Sequence, residues 1–231
     1  MQYRCIEYRG SVTKMSGDVK RAYRSDRRRE QAEQTRSRVL DAAARVFGER
    51  GFEGATVNAI AAEAGISPET VYARFGNKRT VLIELVGRAA RGPDARPILE
   101  QPGPRAVAAA TDQREQLRLF ATDIVHRLER VGPLVAVLAG APSEPELVEV
   151  LHRIHGVRRK NLRTLADQLA VNGPLRLGRE AAADTIWALA SPELHRLLTG
   201  VRGWSRRRYV AWLADALAAA LLPDECPVRS S

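Results

Sequence analysis

Tyr72, Arg74 and Lys78 lie close together in the stretch TVYARFGNKRTVL, positions 70–82, on a chain otherwise rich in alanine. A phenol, a guanidinium and an ammonium so spaced can donate hydrogen bonds to a row of anionic oxygens, phosphates above all. Gly76 stops the short helix that carries the first two, and Asn77 can cap a new helix whose first residue is Lys78. The ammonium then joins the positive end of that helix, which predicts a phosphate contact for Lys78. The Tyr72 hydroxyl can reach a phosphate while its ring packs on a sugar or a thymine methyl, and Arg74 can reach a phosphate or a guanine edge.

Other chemistries have less material. There is no glycine-rich phosphate loop, no nucleophile elbow and no pair of carboxylates placed for acid and base work, so the chain is not expected to be an enzyme. His152 and His155 stand three apart on one helix, but only Glu149 lies within two turns as a third ligand, so no metal and no cofactor are expected. Cys5 and Cys226 sit near opposite ends in polar surroundings and read as incidental thiols. Of 37 Lys and Arg only four are lysines, so arginine by itself is weak evidence for any role.

The elements that must position Tyr72 and its neighbours are helices. Val39, Leu40, Ala43, Val46 and Phe47 repeat at helical spacing, with Thr35 as predicted N-cap and Gly51 as predicted stop. Thr56 caps a second helix, VNAIAAEA, whose Ile60, Ala61 and Ala64 face inward, and Gly65 ends it. Ser67 caps a third, with Pro68 in the first turn, Glu69 near the positive dipole end, and Val71 and Phe75 inward. Asn77 caps a fourth, with Val81, Leu82, Leu85 and Val86 as its buried stripe. A helix, a tight turn at 64–67 and a second helix make a helix-turn-helix with Ser67–Phe75 as recognition helix. Pro68, Glu69, Thr70, Tyr72 and Ala73 then face outward, Asn58 can read an adenine, and Thr56, Val57 and the following backbone meet the flanking strand. Ser67 and Asn77 complete the predicted nucleic-acid surface.

Charge and composition set the domains. The chain carries a formal net charge of +10, and residues 1–30 hold nine Lys/Arg against four acids, half of the excess. Without apolar period, residues 1–33 read as a disordered basic arm, with 19–29 as candidates for phosphate contact or a solvated tail as the alternative, and Met15 as a possible true start. Residues 34–91 form the helix-turn-helix domain, and GPDARPILEQPGPR, with four prolines, marks its boundary. Residues 92–222 are predicted as helices near 106–130, 133–139, 145–171, 180–199 and 205–222, with no sheet and with a break or kink at Ser191-Pro192, and 223–231 as a frayed tail. No segment approaches the roughly 20 apolar residues of a membrane span, and no apolar leader is present, so the expected location is the cytoplasm.

The stretch AAARVFGERGFEGATVNAIAAEAGISPETVYARFGNKRTVLIELV resembles the N-terminal domain of TetR-family transcriptional regulators. Phe47, Gly51, Phe52, Thr56, Ile60, Ala61, the run Ala64-Gly65-Ile66-Ser67, Thr70-Val71-Tyr72, Phe75, Asn77-Lys78 and Leu82 carry the likeness. GWSRRRYVAWLADALAAALL also looks like the closing helices of one branch of that family. The resemblance implies an all-α homodimer: a three-helix N-terminal domain joined by a fourth helix to a larger ligand-binding and dimerisation domain. It also implies a palindromic double-stranded DNA operator and a bundle of four helices at the dimer interface, and the chain is expected to act as a ligand-responsive repressor. Ala73 departs from the aromatic often found there, which puts a stacking contact in doubt.

Leu198 and the stripe Tyr209, Leu213, Ala216, Leu217 and Ala220 are the predicted dimer contacts, internal burial of that stripe being the alternative. A cavity among the middle helices, drawing on Phe120, Ile124, His126, Leu138, Leu151, His155 and Trp187, would be aliphatic, which predicts a mainly hydrophobic small-molecule effector. The competing class is an all-α small-molecule-binding or catalytic protein whose first domain serves another partner.

Overall fold

The computed structural model describes residues 15–94 and 96–223, with side chains from Arg27 onward. The expectations for residues 1–14, including Cys5, lie outside the described residues, as does the tail beyond Pro223 with Cys226.

The described residues form an all-α fold without a strand. Four helices make the first unit: α1 (Met15–Gly54), α2 (Val57–Ala64), α3 (Pro68–Phe75) and α4 (Lys78–Arg91). A short 3-10 turn, Ile98–Glu100, leads to α5 (Pro102–Ala109), α6 (Gln113–Ala139) and α7 (Pro145–Asn172). Then come α8 (Arg179–Leu189), α9 (Pro192–Arg196), a π-turn at Leu197–Val201, and α10 (Arg206–Leu221).

Three expectations are corrected here. The described part of the arm, from Met15, is helix continuous with α1, so Thr35 is no N-cap: its hydroxyl donates to the Gln31 carbonyl at 2.9 Å, one turn back. Residues 15–33 hold no proline and one glycine, and arginine, alanine, glutamine and glutamate propagate a helix readily. A missing apolar period removes a packing face, not helicity. Second, α5 starts at Pro102 inside the proline-rich boundary, because proline suits the first turn.

Third, Gly132-Pro133 does not divide two helices: α6 runs through Pro133. A helix-interior proline costs about 3 kcal/mol. Burial of Leu134, Val135, Val137 and Leu138 just beyond it offsets that cost. The Ser191-Pro192 break is present, with the Ser191 hydroxyl accepting from the Leu194 N–H at 3.1 Å to start α9.

Two apolar cores result. Val39, Phe47, Ile60, Val71, Phe75, Leu82 and Leu85 build the first, and Leu134, Val137 and Leu138 of α6 complete it together with Leu147 of α7. Leu117, Val125, Leu162, Leu169, Ile186, Tyr209, Leu213 and Leu217 build the second. α6 therefore belongs to both cores: its first half packs in one and its last turns in the other.

His195 is buried in the second half, its ring edge-on to Tyr209 at 4.9 Å with Nε2 unpartnered. Burial pulls its pKa below the ordinary histidine value against a weaker upward pull from Glu129, and burial does the same to His155. The unfolded chain therefore binds these protons at a pH where the folded one does not, so stability is complete above about pH 6.5 and falls as pH drops below it. The midpoint of urea unfolding should stay flat from about pH 8 to 7 and decline from about pH 6.5 to 5. His195→Gln should make that decline shallower. A midpoint that rises on acidification contradicts the assignment.

Candidate functional site

The surface around α3 is set by three side-chain caps. Thr56 accepts from the Ala59 N–H at 3.1 Å, Ser67 from Thr70 at 3.3 Å and Asn77 from Thr80 at 2.9 Å. Each cap of this kind contributes about 1 kcal/mol, and together they fix where α2, α3 and α4 begin. Gly65 supplies the left-handed residue of the turn (φ 64°) between α2 and α3, a conformation costly for any side chain. Arg38 of α1 clamps that turn, its Nη2 donating to the Ala64 carbonyl at 2.7 Å.

With Val71 and Phe75 buried, Glu69, Thr70, Tyr72, Ala73 and Arg74 lie exposed, and Pro68 is half-buried at the first turn. Tyr72 is 51% exposed, unusual for a large aromatic unless its ring awaits a partner. Arg74 is loosely tethered to Glu33 at 3.8 Å. The Glu69 carboxyl is held below the usual carboxylate range by its own backbone N–H and by the Ser67 hydroxyl, so it stays ionised. Asn58, Thr56 and Asn77 are exposed beside this helix. Most of the predicted surface residues are thus exposed on α3 and at the starts of α2 and α4.

Two of its predicted members do not fit their roles. The Val57 side chain is buried, leaving only its backbone to face outward at the start of α2. Lys78 turns inward: Nζ donates to the carbonyls of Phe52 at 2.8 Å, Ala55 at 3.1 Å and Glu53 at 3.4 Å, and sits 4.3 Å from the Phe52 ring centroid. The turn from α1 to α2 exposes these carbonyls after Gly51 breaks the helix (φ 65°, ψ −173°), and an ammonium meets several acceptors at once. Its neighbour Arg79 also turns inward, to Glu144 at 2.6 Å and Glu146 at 3.2 Å at the start of α7. The Glu144 contact raises the Arg79 pKa.

A cavity of about 340 Å³ lies between α5, α6 and α7, reached also by Ala90 of α4. Phe120, Ile124 and His155 line it as expected, along with Leu99, Val107, Leu128 and Leu165. His126 does not: it is exposed, near Glu129 at 4.0 Å. Leu138 is buried in the first core, and Leu151 packs against that core, because α6 and α7 turn those residues toward α1 and α4. Trp187 sits behind the wall, 5.6 Å from His155 and 4.8 Å from the Arg158 guanidinium. Among the described residues no three His, Cys, Asp or Glu side chains converge.

The stripe on α10 is also corrected. Tyr209, Leu213 and Leu217 are fully buried within the chain, in the second core, and Leu198 packs against it. Ala216 is half-buried, as is Ala220, and Ala211 and Ala219 are exposed. α10, 16 residues long, buries its broadest apolar face within its own chain.

Residues 39–85 match the family model described as bacterial regulatory proteins, tetR family. The chain is 35% identical over 127 residues to the HTH-type transcriptional repressor BepR of Brucella suis biovar 1, covering 48% of this chain and 59% of that protein. It is 36% identical over 61 residues to the HTH-type transcriptional regulator UidR of Escherichia coli K12, covering 26% and 31%. The chain thus spans less than two thirds of the length of both curated relatives. Among solved structures it resembles PfmR, a TetR-family transcriptional regulator from Thermus thermophilus, with TM-score 0.62, 23% identity and coverage of 79% and 97%. It also resembles NalD of Pseudomonas aeruginosa, the secondary repressor of a multidrug efflux pump, with TM-score 0.61, 21% identity and coverage of 84% and 99%. At that identity the two structures bear on the fold alone.

Proposed function

We propose that the chain is a regulator of the tetR family, whose model matches residues 39–85, and that it is a transcriptional repressor released from its operator by a small, mainly apolar effector. It is a regulator and not an enzyme. The observation that carries the proposal is the physical link between the two sites. α6 lines the cavity with Phe120, Ile124 and Leu128, and the same helix ends in the core of the helix-turn-helix domain at Leu134, Val137 and Leu138. A ligand that spreads α6 from α7 must displace the wall on which α1 and α4 rest. It shifts the equilibrium only through a difference in affinity between the two arrangements.

On DNA, Tyr72, Thr70 and Ala73 meet the major groove, Arg74 and Asn58 are available to bases or phosphates, and the N-termini of α2 and α4 face the backbone. Ionised Glu69 is repelled by phosphate and can accept only from a base amino group such as that of cytosine. One helix-turn-helix with so few base contacts gains affinity by pairing half-sites, which supports a homodimer on a palindromic operator. With Tyr209, Leu213 and Leu217 engaged internally, the exposed small residues of α8 and α10, such as Ala181, Ala188, Ala211 and Ala219, are the faces left for a second copy. Among the described residues no helix is long and apolar enough to cross a membrane, and a DNA partner fits a cytoplasmic location.

A gel shift with the intergenic DNA flanking the chain's own gene tests this. Retardation that weakens with salt and is reversed by an apolar compound is expected. Absence of retardation on every fragment, or binding indifferent to salt, would overturn the reading. Tyr72→Phe should weaken operator binding by roughly 1 kcal/mol, about fivefold, through the lost phosphate hydrogen bond. Its unfolding midpoint should not move, since the side chain is half-exposed. Fluorescence anisotropy at fixed salt measures the first, and an unchanged affinity removes Tyr72 from the phosphate contacts.

A further inference from the structure

We propose that the cavity takes an amphiphile with one carboxylate head and an aliphatic body, the carboxylate seated on Arg158. The site is the effector cavity of the preceding section, and the proposal rests on that reading only for its regulatory consequence.

Arg158 stands on α7 one turn from Ile154 and one turn from Leu162, on the face that lines the cavity. One of its N–H groups donates to the Trp187 carbonyl, and its plane lies 4.8 Å from the Trp187 ring centroid. Nε and Nη1 are buried with no hydrogen-bond partner. No carboxylate among the described residues forms an ion pair with it, and Glu193 acts on it only at longer range. Burial pulls its pKa down to about 10, so it remains a cation at neutral pH.

The other charges at the cavity are balanced. Arg127 pairs with Asp123 at 2.9 Å, and Arg153 with Glu149 at 2.8 Å on the exposed side of α7. Arg158 therefore leaves one uncompensated positive charge in an otherwise aliphatic lining. Its neighbours repeat the same need, since His155 Nδ1, Trp187 Nε1 and the Tyr209 hydroxyl are also buried without partners. Of these groups Arg158 and His155 line the cavity, whereas Trp187 and Tyr209 lie behind its wall, so the guanidinium is the donor that a ligand in the cavity meets.

A buried, unpaired cation with unmet donors is costly, and an anion removes the cost by supplying charge and lone pairs together. A carboxylate fits the planar fork of a guanidinium. A neutral apolar molecule would leave the donors unmet, a cation would be repelled, and a polyanion would bring more charge than the one arginine balances. The body of the ligand meets Leu99, Val107, Phe120, Ile124, Leu128 and Leu165.

Calorimetric titration of the full chain with decanoate, 1-decanol and decylamine, each below its aggregation threshold, tests this. Decanoate should bind about tenfold or more tightly than 1-decanol, as expected for a charge-assisted hydrogen bond, and decylamine weakest. Arg158→Met, which keeps an unbranched stem against Trp187, should erase the preference for the acid while leaving the alcohol bound. Arg158→Lys should retain part of it. Equal binding of acid and alcohol to the unmodified chain, or no binding of decanoate, overturns the proposal without any variant having to fold. Release of operator DNA is read separately. Acid-selective binding without release supports the ligand assignment and removes the effector reading.

Discussion

Lys78→Ala should lower the stability of the chain by about 2–3 kcal/mol, the worth of a charged hydrogen-bond donor shared among backbone carbonyls together with a cation–π contact. The ammonium meets Phe52 and Ala55 at 2.8 and 3.1 Å, with the Phe52 ring beneath it. Its removal leaves those carbonyls facing an apolar side chain. Lys78→Met keeps the stem over the ring and should lose almost as much, which separates the charge from the packing. Chemical denaturation followed by far-UV circular dichroism measures both. The contrast with a phosphate contact is quantitative. If the ammonium neutralised a phosphate, the slope of log affinity against log salt would fall by about one for the variant. With the ammonium engaged internally the slope should be unchanged under conditions where the variant is folded, and any weakening should be the same at every salt concentration. Full stability with a reduced slope would return Lys78 to the DNA surface.

That reversal shows what sequence can and cannot place. Caps are local: Thr56, Ser67 and Asn77 each bond a backbone N–H three residues on, so their roles could be read from short spacings alone. The outward face of α3 followed, because burying Val71 and Phe75 dictates what faces out. Lys78 was misplaced because its partners lie more than twenty residues away, where no spacing rule reaches. Arg38 on the turn, Arg79 on Glu144 and Arg88 on Asp41 were missed for the same reason, hidden among many arginines with no local sign of their partners. Arg158 did carry a sign: it interrupts the apolar row Ile154, Leu162, Leu165, Leu169 at helical spacing, and a cation on a buried stripe marks either a partner or a ligand. The dimer stripe failed on physics of another kind. An apolar helix face says that it will be buried but not by which copy of the chain, and here α6 and α8 cover Tyr209, Leu213 and Leu217.

Leu138→Ala should have the largest effect of all, a loss of about 2–5 kcal/mol from an emptied core position. Leu138 is 1% exposed and is contributed by α6, a helix of the C-terminal domain, to the core of the DNA-binding domain. The consequence reaches beyond its own neighbourhood. Trp187, Trp204 and Trp212 all pack around the second core, so tryptophan fluorescence reports that core, whereas far-UV circular dichroism reports the whole chain. If α6 ties the two cores into one cooperative unit, Leu138→Ala should shift both unfolding curves together, although no tryptophan lies near the cavity it creates. A fluorescence midpoint that stays in place while the dichroism curve splits would show two independent cores. The repressor reading would then lose its mechanical link, because a ligand beside Phe120 and Ile124 reaches α3 through this same buried contact between α6 and the helices α1 and α4.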